Sequence, residues 1–202
     1  PIKVVIDNSP ADKEEMISLP NHPQKPEMGT REGKFTKELY IDADDFSLAP
    51  PPKYFRLKQD GMVRLKNAYI IKCDKVLFND DGTVRELICS YVPESRSGQD
   101  TSGLKVKGVI QWVEKNSAVD VEIRQYEHLL KDEEYAGQDF SERMNYDSVK
   151  IFNGKAEPYL LTNGMGVSYQ LLRKGYYKTV NKNSKLILSE ITSMKDSFKP
   201  KQ

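Results

Sequence analysis

Short runs of β-branched and aromatic residues recur about every ten residues along this chain, and glycine or proline punctuates the gaps between them. Lys3–Asp7, Glu15–Leu19, Lys34–Ile41, Tyr69–Phe78, Val84–Val92, Leu104–Val113, Val119–Tyr126, Val149–Phe152, Ser168–Leu172, Tyr176–Val180 and Lys185–Ile191 each read as a strand. Glu15–Leu19 is expected to pair with Lys3–Asp7 as a hairpin. One-turn helices are expected at Asp42–Phe46 and Phe140–Asn145, with no long helix to build a layered α/β domain. The spacing therefore predicts an all-β chain. In 202 residues it predicts two consecutive β-barrels with short helical turns. The expected division is residues 1–103, then 104–182. Residues 183–202 supply a closing strand, with a return to the first barrel as one option, and a frayed basic tail at Lys195–Gln202.

One stretch carries chemistry. Tyr54 to Lys72 holds two β-like arms about a turn at Gln59-Asp60-Gly61, and Asp-Gly is a strong hairpin signal. On the second arm Val63 and Leu65 alternate with Arg64 and Lys66, so the two cations share a face. Arg56 lies on the first arm, among Tyr54, Phe55 and Tyr69. Cations interleaved with flat rings suit single-stranded nucleic acid, which needs charge at its phosphates and surfaces for its bases. The same residues also fit an ordinary solvated strand beside core aromatics.

Composition restricts the rest. With 31 basic and 30 acidic residues the chain is no polycation, so any nucleic-acid binding rests on local patches. Basic residues gather at Lys53–Lys72, Lys105–Lys107 and Arg173–Lys201. No apolar run reaches the ~18 residues of a membrane span. The chain opens on a strand without an initiator Met, which is expected of a piece of a longer protein. Cys73 and Cys89 flank the Asn79–Gly82 turn almost symmetrically. Two reduced, buried thiols are expected there, a disulfide being the alternative.

No enzyme signature is present. His22 and His128 lie far apart, without metal-ligand spacing. There is no nucleophile elbow, P-loop or dinucleotide fingerprint, and the glycines of Asn163-Gly-Met-Gly-Val follow no strand-to-helix pattern. No carboxylate pair stands out. A binding module is expected rather than a catalyst.

The loop Leu-Pro-Asn-His-Pro-Gln-Lys-Pro-Glu-Met-Gly-Thr-Arg (Leu19–Arg31) resembles a signature of the glutaminyl-tRNA synthetases. So, in order, do Ile41-Asp-Ala-Asp-Asp-Phe, Val63-Arg-Leu-Lys-Asn-Ala-Tyr-Ile-Ile-Lys, Val106-Lys-Gly-Val-Ile-Gln-Trp-Val, Val121-Glu-Ile-Arg-Gln-Tyr, Ala156-Glu-Pro and Tyr169-Gln-Leu-Leu-Arg-Lys-Gly-Tyr-Tyr. The resemblance implies a class I aminoacyl-tRNA synthetase, and within it the carboxy-terminal pair of ribosomal-protein-like barrels that bind the anticodon. The catalytic HIGH-type and KMSKS-type signatures are absent from the sequence. The implied parent enzyme joins glutamine to tRNA-Gln with ATP and Mg; this stretch alone is expected to be inactive and to hold no cofactor or metal.

The resemblance also implies roles. Arg64 and Lys66 stand where two basic residues contact the first anticodon base and its phosphate; Lys66 offers a point charge where an arginine would offer a fork. Arg56 matches an arginine for the third base. Gln170 matches the reader of the central uracil, whose carbonyl and imino edge an amide can pair with. Arg173 matches a further basic contact. Gln24, Lys53 and Phe55 are lesser candidates, Phe55 replacing a lysine with a ring that can stack. A further arginine for the central base is implied upstream of Pro1. The implied setting is a cytoplasmic monomer that binds the tRNA-Gln anticodon loop and neither DNA nor membrane. The alternatives are the same region of a glutamyl-tRNA synthetase, or a barrel that binds structured RNA by shape.

Overall fold

The computed structural model describes residues 1–131, 139–182 and 185–194, the Lys182 side chain excepted. The chain forms two compact units: Pro1–Ala118 with Glu157–Tyr159, and Val119–Ala156 with the residues from Leu160 onward. It is an all-β chain, as its punctuation predicts. Among the described residues no helix is long and apolar enough to cross a membrane.

The first unit is a curled sheet. Its strands are β1 (Ile2–Ile6), β4 (Glu38–Ile41), β5 (Met62–Leu65), β6 (Ile70–Phe78), β7 (Val84–Val92), β8 (Val109–Ile110) and β9 (Trp112–Glu114), in the order β8-β5-β6-β7-β1-β4-β9. The two end strands are neighbours in sequence, parted only by Gln111. One short segment thus pairs with β5 on one side and β4 on the other, which brings the sheet nearly to closure. β2 (Glu15–Pro20) and β3 (Thr30–Phe35) form a separate ribbon. The interior holds Val4, Ile6, Phe35, Leu39, Val63, Leu65, Ile71, Leu87 and Ile110, all fully buried. Their alternation along each strand is what turns one face inward.

Several expectations shift here. β2 pairs with β3, not with β1. The Asn8 side chain makes two hydrogen bonds to the Tyr91 backbone, at 2.9 Å each. This holds the end of β1 against β7 in parallel. The expected strand Lys34–Ile41 breaks into β3 and β4 at Thr36, whose hydroxyl donates to the Glu38 carbonyl at 3.1 Å. The expected hairpin turn also moves. Asp60-Gly61 does turn, with Gly61 N–H donating to the Lys58 carbonyl at 3.0 Å, but it joins no pair of strands. The hairpin is β5–β6, closed by Leu65-Lys66-Asn67-Ala68 with Asn67 in the left-handed region. The β6–β7 hairpin stands where expected, with Cys73 opposite Cys89, both buried and both free.

The second unit is a five-stranded sheet of β10 (Val119–Tyr126), β11 (Val149–Ala156), β12 (Ser168–Leu171), β13 (Gly175–Lys182) and β14 (Lys185–Ser193), in the order β11-β10-β14-β13-β12. A one-turn helix, α1 (Phe140–Arg143), precedes β11. Val121, Leu160, Tyr177 and Leu188 form its core. The last strand does not return to the first unit: β14 lies between β10 and β13, where Ile187 and Leu188 bury. Likewise β8 and β9 belong to the first sheet, so the units part between Ala118 and Val119 rather than before Leu104. The basic tail Lys195–Gln202, and most of the acidic stretch after His128, lie outside the described residues.

Candidate nucleic-acid interface

The first unit gathers most of the expected cations around β5 and β8. Arg64 points out of β5 between the buried Val63 and Leu65. Its Nη1 donates to the Ser95 carbonyl at 2.6 Å, and its Nη2 pairs with the Asp100 carboxylate. Asp100 also accepts from the Ser102 hydroxyl and N–H, at 2.6 and 2.8 Å. Ser102 and the Arg64 guanidinium together hold the Asp100 carboxyl below its ordinary range. Arg64 is therefore a fork already oriented by the Ser95–Ser102 loop. Lys66 opens the following turn and is half-buried. Its carbonyl accepts the Trp112 indole N–H at 3.0 Å.

Arg56 is engaged differently. Its Nη1 donates to the Asp44 carbonyl at 2.8 Å, and its Nε lies 3.6 Å from the buried Asp45 carboxylate. It braces the segment before β5 against the 3-10 turn Ala43–Asp45, which the Asp42 side chain caps. Phe55 beside it is exposed. Lys53 is the third residue of a Pro51-Pro52-Lys53-Tyr54 turn, with φ 64°. Gln24 sits apart from these groups, on the β2–β3 loop, where its N–H donates to His22 Nδ1.

The second unit holds the other two. Gln170 projects from the solvent face of β12 and stands opposite Tyr176 of β13. Its amide donates to the Met194 thioether at 3.5 Å, a weak acceptor. Arg173 is exposed in the turn between these strands, with φ 65°.

Two groups escaped the sequence reading. Tyr176 is 44% exposed and lies between Gln170 and Thr192 across the sheet. Lys107 sits with its ammonium 5.4 Å from the centre of the Phe55 ring. The alternation in Lys105-Val-Lys107 and in Tyr176-Tyr177-Lys178 could have suggested outward residues, though not what they face. Among the described residues no cluster of three or more His, Cys, Asp or Glu could hold a metal.

Two family models match the chain, both described as the anticodon-binding domain of class I (E and Q) tRNA synthetases. One covers residues 1–92 and the other residues 109–180. The chain belongs to this family. The chain is 40% identical over 206 residues to a glutamine–tRNA ligase of Clostridium perfringens, a match that covers 100% of the chain and 37% of the relative. It is 40% identical over 205 residues to that of Rhodopirellula baltica, covering 98% and 34%. For that of Pectobacterium atrosepticum the identity is 39% over 202 residues, covering 98% and 37%. The chain thus spans a little over a third of the length of these relatives.

Proposed function

We propose that this chain is the anticodon-reading region of a glutamine–tRNA ligase. It binds the tRNA-Gln anticodon loop so that the catalytic part of the enzyme, with ATP and Mg, attaches glutamine. The observation that carries the reading is the likeness to glutamine–tRNA ligases over the whole chain. The family description covers glutamate and glutamine enzymes alike, and these relatives favour glutamine.

In this reading Arg64 and Lys66 serve the first anticodon base and its phosphate. Arg56 serves the third base, Gln170 the central uracil, and Arg173 a further basic contact, with Gln24, Lys53 and Phe55 in supporting roles. Support comes from chemistry. Arg64 presents an oriented fork of the kind that pairs with phosphate or guanine. Gln170 presents an exposed amide whose donor is held only by a thioether among the described contacts. Bases of single strands offer both edges and faces, so an amide beside a ring matches them. The reading places the enzyme in the cytoplasm as a monomer.

The test is binding to a tRNA-Gln anticodon stem-loop beside one altered at the central uracil, at two salt concentrations. Preference for the uracil loop is expected, together with a fall in affinity as salt rises. Equal affinity for both loops at both concentrations would overturn base reading by this chain.

A further inference from the structure

The segment Tyr54–Leu57 belongs to no strand, yet each of its residues is tied down by backbone or side chain. The Tyr54 hydroxyl and Arg56 Nη1 both donate to the Asp44 carbonyl, at 3.2 and 2.8 Å. Leu57 N–H donates to the Asp45 carbonyl at 2.9 Å, and Leu57 itself is fully buried. The Phe55 carbonyl presses against Gly108: a Cβ there would lie 1.8 Å from that oxygen. Gly108 in turn accepts the Arg64 N–H at 2.9 Å, so the segment is fastened to β5.

With its neighbours tied inward, Phe55 is turned outward and is 52% exposed. A large ring held in water on a fixed backbone does nothing for the core. The exposed Lys107 lies over that ring. An ammonium is drawn to an aromatic face by the ring quadrupole, and it covers only one face. Lys53, Arg56 and Arg64 stand on the same short stretch of chain, the two arginines paired with Asp45 and Asp100.

We propose that Phe55 and Lys107 form one RNA contact: the open side of the ring stacks on an unpaired base of the anticodon loop, and Lys107 neutralises the adjoining phosphate. Beside its proposed contact with the third base, Arg56 also positions Phe55, since its guanidinium ties the segment to Asp44 and Asp45. This inference rests on the anticodon-binding reading and adds to it a stacking residue and a phosphate contact. Stacking tolerates any base, so the pair supplies affinity and placement while discrimination stays with hydrogen-bonding groups.

The experiment titrates the 202-residue chain with anticodon stem-loops carrying 2-aminopurine at one loop position at a time, following fluorescence quenching. Wild-type chain is expected to quench one position most. Phe55→Ala should bind about tenfold more weakly and lose the quench at that position, while Phe55→Trp keeps both. Lys107→Met should keep the quench and lower the slope of log affinity against log salt by about 0.7. Arg56→Met should lose the quench as Phe55→Ala does, with an unchanged urea midpoint for Phe55→Ala as the folding control. Wild-type affinity and salt slope in both Phe55→Ala and Lys107→Met would overturn the proposal and leave the anticodon reading intact. A wild-type chain that binds no anticodon stem-loop would overturn both.

Discussion

Arg64 divides its guanidinium between the Ser95 carbonyl and the Asp100 carboxylate, so the best-oriented cation of the first unit already holds an anion of its own. The Asp100 charge competes with any phosphate brought to the same donors. Asp100→Asn is therefore expected to raise affinity for the anticodon stem-loop by about fivefold at low salt, with the gain fading as the Debye length shrinks. Weaker binding by this variant would make Asp100 a positioning residue instead.

Glu157 is held by Arg31 through both carboxylate oxygens and accepts the Gln111 amide at 3.1 Å. The Tyr159 ring lies 5.7 Å from the same guanidinium. Both charged groups are about four-fifths buried. Removing one partner should cost more than a surface pair and less than a fully buried one, about 1–2 kcal/mol. Glu157→Gln is expected to lower the unfolding free energy in urea by that amount and to speed proteolytic cleavage near residues 157–159. Unchanged values for both would show that the segment needs no ionic hold.

Strand positions were legible because burial follows a period of two, and β6, β7 and β10 stand where alternation puts them. Turn signals were half legible. Asp60-Gly61 does turn, but which strands a turn joins depends on partners far away in sequence, here β8 beside β5. The site was legible as residue types in a family order and not as geometry. Arg56 reads as a free cation until Asp44 and Asp45 fold against it. Lys107 could not be tied to Phe55 from sequence, since about fifty residues separate them and only the bare backbone of Gly108 lets them meet.

Lys53 and Arg173 share a conformation that their residue types disfavour. Each is the third residue of a tight turn, closed by Tyr54 N–H on the Pro51 carbonyl and by Lys174 N–H on the Leu171 carbonyl, with φ 64° and 65°. Asp60 and Asn67 take the same place in their turns, and short polar residues tolerate it. A long cationic side chain there is retained against a backbone penalty of ~1–2 kcal/mol. Lys53→Gly and Arg173→Gly are each expected to raise stability by about 0.5–1 kcal/mol in urea unfolding and to weaken RNA binding. Glycine variants less stable than wild type would show that contacts of these side chains outweigh the strain.

Tyr176 lies opposite Gln170 on the solvent face of the second sheet. In the proposed reading, an exposed ring there can carry the base whose edge the Gln170 amide reads. Tyr176→Ala is expected to weaken stem-loop binding about tenfold and Tyr176→Phe to leave it unchanged, since stacking needs the ring and not the hydroxyl. Equal losses in both variants would assign the effect to the hydroxyl.

Acid should unfold the first unit through identifiable carboxylates. Burial pushes the Glu114 carboxyl up, but hydrogen bonds from Asn116, Ser117 and Thr36 outweigh it and hold the group below its ordinary 4.5. Glu15 is likewise pushed up by burial and brought below 4.5 by the Tyr69 hydroxyl and Arg96. A carboxylate depressed on folding contributes its stability above the unfolded value, and that stability is lost as pH falls through the folded one. The wild-type urea midpoint should thus stay level near neutrality and drop below about pH 4.5. Glu114→Gln should be less stable at pH 7, with a gap to wild type that narrows as acid is added. At the other end the Tyr69 hydroxyl is raised by burial and by Glu15 to about 12. The unfolded chain then releases that proton first, so stability should fall again above about pH 10, and Tyr69→Phe should make that alkaline limb shallower, Lys3 and Tyr177 being raised as well. A parallel loss in wild type and Glu114→Gln from pH 5 to pH 3 would clear Glu114 of the acid limb.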